Sequence, residues 1–164
     1  MFIFRVIALI ALLVVPALAS HKVTFYNKCK KHTVRPIYHD VSGKTVHLKA
    51  LKYNQKTSMT VAEGQHAWRA YGQVGKQCLE PDGTRCTLLE CSFENSAFRQ
   101  CNISRVSGYN LGMKFSFGNK SCKGNYCLSG KCNGDRAFTN PTDGGKSLRQ
   151  CNAKNVPMSV SFHC

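Results

Sequence analysis

Ten cysteines behind a hydrophobic leader constrain the fold of this chain more than any other feature of its sequence. Residues 1–19 contain one early arginine, then an uncharged apolar run that ends in the small-residue pattern Ala17-Leu18-Ala19. This arrangement predicts a secretory signal peptide. The alternative is a transmembrane anchor, which needs roughly 20 apolar residues, and the run here is shorter. Cleavage before Ser20 would leave residues 20–164, a length that suits one domain.

All the cysteines lie beyond the predicted cleavage site, in a chain addressed to an oxidising compartment, so five disulfides are the economical interpretation. The alternative is metal binding, because three of the cysteines are closely spaced, but the sequence has no C-x₂-C pair. We therefore expect neither a metal nor a cofactor. The ten positions are Cys29, Cys78, Cys86, Cys91, Cys101, Cys122, Cys127, Cys132, Cys151 and Cys164.

The chain is strongly basic, with 23 lysines and arginines against 8 acidic residues and a net charge of +15. Only one of these basic residues, Arg5, lies in the leader. A surplus of this size attracts acidic polymers and anionic membranes, without pointing to a specific nucleic acid. The alternative is that the lysines only keep a secreted domain soluble. We expect a monomer.

Apolar residues recur mostly with period two, which predicts an all-β protein. The clearest strands cover residues 111–117 and 156–164, where each alternate residue is apolar. Many short strands separated by turn residues indicate a β-sandwich. The stretch 121–150 is rich in Gly, Asn, Lys and Cys and is predicted to be a loop-rich excursion held by crosslinks. Weaker strands are predicted at 22–26, 33–38, 44–48, 58–61 and 67–71.

Several segments, read in order, resemble the thaumatin-like proteins, and specifically the short form of that family with ten cysteines. The resemblance implies a disulfide-rich β-sandwich that retains little of the family's second lobe. It also implies a bond between Cys29 and Cys164, and Cys78 with Cys86 fits the family. Cys91 with Cys101 follows from the cysteines left over, and the pairing of the last four stays open. The matching segments are Thr24-Phe25-Tyr26-Asn27-Lys28-Cys29, Ala67-Trp68-Arg69-Ala70, Thr87-Leu88-Leu89-Glu90, Asn102-Ile103-Ser104, Gly108-Tyr109-Asn110-Leu111-Gly112-Met113-Lys114-Phe115, Cys122-Lys123-Gly124-Asn125-Tyr126-Cys127 and Val160-Ser161-Phe162-His163-Cys164.

Full-length relatives line an acidic cleft with one Arg, one Glu and three Asp, a cleft linked to β-1,3-glucan binding and sometimes to weak hydrolysis. Glu90 is the one clear match in this chain. The next two acidic positions are occupied by Arg99 and Asn102, so the resemblance implies a cleft that has lost or reversed its charge. The binding residues expected from it are Glu90, Arg99, Asn102 and Tyr109.

Catalysis is the less favoured function. Glycoside hydrolysis usually needs two carboxylates about 5.5 Å apart for retention or 6.5–9.5 Å apart for inversion. Glu90 and Glu94 would lie about 13 Å apart on one extended strand. A secreted ribonuclease could instead use His39, Glu63 or Glu90, and Arg69, a combination that almost any basic protein can supply.

Aromatic residues among lysines near the start of the mature chain could bind an anionic polymer or a sugar, although a solvated strand edge is the more common explanation. This segment includes Lys22, Tyr26 and Lys28. Trp68, the single tryptophan, could stack on a sugar, but a core position is expected more often. Asn102 and Asn119 begin N-glycosylation sequons, which need a surface location.

These observations predict a secreted defence or host–microbe protein that binds cell-wall β-glucan or another surface polymer, with antifungal action as one outcome. The first alternative is a basic protein that perturbs anionic membranes. The second is a weak β-1,3-glucanase that uses Glu90.

Overall fold

A computed structural model describes residues 20–94 and 98–164, so the predicted signal peptide lies outside the described residues. These residues form eleven strands in two sheets. The strands are β1 (Ser20–Asn27), β2 (Arg35–His39), β3 (Thr45–His47), β4 (Lys56–Ala62), β5 (Trp68–Gln73), β6 (Leu88–Glu94), β7 (Phe98–Ser104), β8 (Gly112–Phe117), β9 (Asn125–Cys127), β10 (Arg149–Cys151) and β11 (Met158–His163).

The two sheets pack face to face as the predicted sandwich. One has five strands in the order β4-β1-β11-β8-β9, and the other has six in the order β10-β7-β6-β5-β2-β3. The period-two pattern explains this arrangement, because alternate residues such as Phe25, Phe115 and Val160 are buried between the sheets. No helix in the described part of the chain is long and apolar enough to cross a membrane.

The first and last strands, β1 and β11, pair in parallel at the centre of the five-stranded sheet. The strand-edge explanation for the basic segment that begins at Lys22 is therefore wrong for β1, because β1 has a neighbour on each side. Tyr26 belongs instead to the outer surface of this internal strand, and Lys28 follows the end of the strand. Phe25 points the other way and is fully buried in the core.

Five disulfides fasten the sandwich, and all ten cysteines take part. Three bonds are those named from the sequence: Cys29–Cys164, Cys78–Cys86 and Cys91–Cys101. The four cysteines left open pair as Cys122–Cys151 and Cys127–Cys132. Since the closely spaced cysteines are used in disulfides, they are not available as metal ligands.

The excursion over 121–150 is mostly turns, as predicted, but it also contains two short strands that the sequence pattern did not show. β9 extends one edge of the five-stranded sheet, and β10 extends one edge of the six-stranded sheet. Asn125 supports the loops between them, because its side-chain Nδ2 donates to the carbonyl oxygens of Asp135 and Ser147 at 3.0 and 2.9 Å. The excursion therefore adds an edge strand to each sheet.

Trp68 occupies the core rather than a sugar-binding surface. It is fully buried and makes a T-shaped contact with Phe93, with ring centroids 5.2 Å apart. Its other aromatic neighbour is Tyr38, at 5.6 Å. A ring enclosed in this way cannot stack on a ligand.

Candidate functional site

The outer face of the six-stranded sheet carries a row of polar side chains that crosses five strands. In the register, Thr45 lies opposite His39, His39 opposite Arg69, Arg69 opposite Glu90, and Glu90 opposite Asn102. Residues directly opposite on neighbouring strands share one face of the sheet. We call these five residues the polar row.

Hydrogen bonds hold both ends of the polar row in place. The Nδ2 group of Asn102 donates to Glu90 Oε2 at 2.9 Å, and His39 Nδ1 lies 2.8 Å from Thr45 Oγ1. In the middle, the Arg69 guanidinium donates to the backbone carbonyl of Asp82 at 3.2 Å. This last bond ties the row to the loop between β5 and β6.

That loop lines a groove of about 940 Å³ beside the row, together with His39, Tyr109 and Asn110. Four charged side chains, Lys76, Glu80, Asp82 and Arg85, also line the groove. Two are basic and two are acidic, so the charges in the groove balance.

A small apolar cluster anchors the loop to the sheet, and Tyr71 is its centre. The Tyr71 hydroxyl donates to the carbonyl oxygens of Glu80 and Pro81, at 2.8 and 3.1 Å. Burial raises the pKa of Tyr71 to about 12, so this donor is protonated at every physiological pH. The other members are Ile37, Leu88 and the Cys78–Cys86 disulfide.

Asp82 stays ionised at the mouth of the groove. Its carboxylate accepts hydrogen bonds from the Thr84 backbone N–H and hydroxyl, both at 2.9 Å, and these bonds lower the pKa of Asp82. The nearby Arg69 guanidinium lowers it further. A carboxyl with a lowered pKa can accept hydrogen bonds from a ligand but is poorly suited to act as a general acid.

The residues predicted for binding separate into three places. Glu90 and Asn102 are paired in the polar row, and Tyr109, which is 36 % exposed, lines the groove beside it. Arg99 is elsewhere, fully buried between the sheets. The prediction that Arg99 lines the site is thus wrong, because residues 99 and 102 are three apart on one strand and point to opposite faces.

Arg99 instead belongs to a buried polar cluster with His21 and Glu63. Glu63 Oε2 accepts from Arg99 Nη2 at 2.8 Å and from His21 Nε2 at 2.6 Å, and Arg99 Nη1 also donates to the Ala153 carbonyl. His21 is fully buried, and the Glu63 side chain is 16 % exposed. This cluster ties β1, β7 and the turn after β4 together.

The residues named for a ribonuclease are only partly brought together. His39, Arg69 and Glu90 lie in the polar row, whereas Glu63 is in the buried cluster. Glu90 was grouped with Asn102 from the sequence, but His39 and Arg69 were not, because their proximity to Asn102 depends on which strands pair. The loop carrying Glu80 and Asp82 was missed for the same reason.

The two glycosylation sequons differ in accessibility. Asn102 is only 6 % exposed and donates its amide nitrogen to Glu90, so a glycan at this nitrogen would displace the bond and disturb the sheet. Asn119 lies in a turn after β8, where its side-chain oxygen accepts hydrogen bonds from the backbone N–H and the hydroxyl of Ser121. These bonds do not use the amide nitrogen, the atom to which a glycan is attached. Asn119 is the sequon compatible with the folded surface.

We expect expression in a glycosylating host to attach a glycan at Asn119 and not at Asn102. Asn119→Gln should abolish the mobility shift produced by a glycosidase that removes N-glycans. The matched variant Asn102→Gln should leave that shift unchanged, and its loss in Asn102→Gln would contradict the assignment.

The two stacked sheets, the parallel pairing of first and last strands and the five disulfides define the class of this fold. It is a thaumatin-like β-sandwich. No protein-family model and no curated protein sequence matches the chain.

The solved structures similar to it include the following two. The protein elicitor MoHrip2 from Magnaporthe oryzae superposes with a TM-score of 0.63 at 16 % identity, over 88 % of this chain and 99 % of that one. The thaumatin-like xylanase inhibitor TLXI superposes with a TM-score of 0.66 at 15 % identity, over 85 % of this chain and 97 % of that one. At these identities the similarity establishes the fold.

Proposed function

We propose that this protein is an extracellular, non-catalytic binder of neutral cell-wall β-glucan that acts in defence or host–microbe interaction. The observation that carries the proposal is the polar row beside a groove of balanced charge. The row offers amide, guanidinium, imidazole and carboxylate groups on a rigid sheet. Such groups form hydrogen bonds with sugar hydroxyls from fixed positions.

The ring of Tyr109 adds a partly exposed aromatic surface at the groove. An aromatic face next to convergent polar groups is suited to a sugar ring, which has an apolar face and a hydroxylated edge. The names of the two similar structures, an elicitor and a xylanase inhibitor, also favour recognition over hydrolysis.

The carboxylates near the row argue against a glucanase. Glu90 and Glu94 lie on the same extended strand, which separates their backbones by about 13 Å, more than either glycosidase geometry requires. Asp82 is closer to the row, but its lowered pKa disfavours the acid role that protonates a leaving group. Binding is therefore the function that this face supports best.

A phosphodiester substrate fits this face less well than a neutral glycan. His39, Arg69 and Glu90 could in principle supply a base, an anion clamp and an acid. Glu80 and Asp82, however, offset the charges of Lys76 and Arg85 in the adjoining groove, so the groove has no net positive charge to attract a polyanion.

Arg69→Ala is expected to weaken retention on insoluble β-1,3-glucan about tenfold at physiological salt, since it removes a central donor of the row. The measurement is the bound fraction over a series of glucan concentrations. Lys22→Ala is the matched control, because it removes one positive charge from the opposite sheet, and it should bind like the parent.

Three outcomes would count against the proposal. If the parent protein is not retained on β-1,3-glucan at physiological salt, glucan is not its ligand. Equal weakening by Arg69→Ala and Lys22→Ala would show that net charge, rather than the row, governs retention. Release of soluble sugar that disappears in Glu90→Gln would make the protein a glucanase.

A further inference from the structure

The five-stranded sheet presents an outer face without a single carboxylate. None of its strands, β1, β4, β8, β9 and β11, contains an Asp or a Glu. The acidic residues lie on the other sheet, in its loops, in the turn after β4, or in the excursion. They are Asp40, Glu63, Glu80, Asp82, Glu90, Glu94, Asp135 and Asp143.

A continuous row of lysine, tyrosine and serine crosses all five strands of this sheet. The register pairs Lys56 with Tyr26, Tyr26 with Ser161, Ser161 with Lys114, and Lys114 with Tyr126. With strands about 4.8 Å apart, the row is roughly 19 Å long. Both lysines are exposed, and Tyr126 is 40 % exposed.

A second row, made only of hydroxyl groups, runs beside the first across four strands. It consists of Ser58, Thr24, Ser159 and Ser116, each opposite the next in the register. The Thr24 and Ser58 hydroxyl oxygens lie 3.0 Å apart. We call these two rows, together with Lys28 and His163, the basic face.

A shallow depression of about 320 Å³ lies within the basic face. Tyr26, Lys28, Lys114 and His163 line it, together with three serines from the two rows. Burial lowers the pKa of His163, and the positive charges of Lys114 and then Lys28 lower it further. The depression is therefore a place of positive potential with many hydroxyl partners.

No carboxylate neutralises these lysines. Within residues 20–94 and 98–164, both recorded ion pairs are made by Glu63, which belongs to the buried cluster. Lys28 Nζ donates to a neutral partner, the Asn54 side-chain oxygen, at 3.1 Å. The basic face can therefore offer its charges to an external anion.

We infer that the basic face is a second binding surface, separate from the polar row, and that it binds an acidic polysaccharide. Lysines spaced across the sheet match negative groups repeated along a sugar chain. The intervening hydroxyls and the Tyr26 ring match the hydroxyls and apolar faces of the sugars.

The other polyanions match the basic face less well. Anchoring on a membrane also needs apolar side chains that enter the lipid, and the one large exposed side chain with apolar surface on these strands is Tyr126. Single-stranded nucleic acid needs a series of free aromatic rings on which successive bases stack. On these strands Tyr26 offers one such ring, whereas the Arg136 guanidinium covers Tyr126, 4.0 Å from its ring centroid.

The test is a titration of the full mature protein with polygalacturonate at about 0.05 M salt, where surface charges are weakly screened. The double variant Lys56→Gln/Lys114→Gln should bind about tenfold more weakly than the parent. The matched control Lys44→Gln/Lys49→Gln loses the same charge from the loops that flank β3 in the opposite sheet, away from the groove, and should keep its affinity within about twofold. Tyr26→Ser, which leaves the charge unchanged, should also weaken binding.

Equal loss in the two double variants would overturn the inference, because net charge alone would then explain binding. Tighter binding to phosphatidylserine vesicles, or to a single-stranded oligonucleotide, than to polygalacturonate would assign the face to another partner. The thermal unfolding midpoint of each double variant should equal that of the parent, which shows that folded proteins are being compared. Retention on neutral glucan should be the same for Lys56→Gln/Lys114→Gln and for the parent. The test of the basic face is therefore independent of the test of the polar row.

Discussion

Glu63→Ala is expected to destabilise the protein by about 3–5 kcal/mol, the range for removing one partner from a buried ion pair. The Glu63 carboxylate accepts hydrogen bonds from both Arg99 and His21, and those two side chains are fully buried. Removing the carboxylate takes away the acceptor that the buried Arg99 and His21 side chains share. The free energy of unfolding, measured by denaturant titration with the disulfides intact, tests this expectation.

Glu94→Ala is the matched control, since it removes an exposed carboxylate from the end of β6. Its effect should stay within about 0.5 kcal/mol, as for most surface substitutions. The free energy of unfolding of Glu63→Gln should lie closer to that of Glu63→Ala than to that of the parent. Glutamine keeps the shape of the side chain but loses its charge. A destabilisation below about 1 kcal/mol for Glu63→Ala would contradict a structural role for the cluster.

The second large effect is expected from the bond between the first and last strands. Cys29 and Cys164 are separated by 135 residues in the sequence, so their disulfide closes a loop of nearly the whole domain. The chain-entropy model gives such a loop roughly 5 kcal/mol of stabilisation, because it restricts the unfolded chain. The double variant Cys29→Ser/Cys164→Ser should lose about that much.

Cys127→Ser/Cys132→Ser provides the comparison, because that bond spans only 5 residues. The same model gives it roughly 2 kcal/mol, less than half of the first value. Both double variants replace two cysteines by two serines, so the difference between them reports loop length. Equal losses in the free energy of unfolding would show that local packing of each disulfide, rather than chain entropy, controls stability.

Much of the fold could be predicted from the sequence, because alternating burial leaves a local signal. β8 and β11 show the strict alternation that a strand with one buried face requires, and both are present. β6 and β7 were not among the predicted strands, although Leu89, Cys91 and Phe93 are buried at alternate positions along β6. β9 and β10 were missed because they belong to the Gly-, Asn- and Lys-rich segment, which has little apolar periodicity. The cysteines indicated crosslinks, but the pairing of the last four depends on which loops meet.

The site was harder to predict than the fold. Glu90 and Asn102 were named individually, but Arg69 and His39 join them only because β2, β5, β6 and β7 are neighbours in one sheet. Arg99 was assigned to the wrong face, although its spacing of three from Asn102 carried the necessary information. On a strand, an odd spacing places two side chains on opposite faces.

The basic character of the chain shows the same division between sequence and tertiary structure. Composition alone established a large positive charge, and the alternation along the predicted strands indicated which of their residues face outward. Strand order and register then placed Lys56 and Lys114 on one sheet, whose strands contain no Asp or Glu. Charge is a property of residues and burial period is local, whereas the pairing of distant strands is decided only when the two sheets pack.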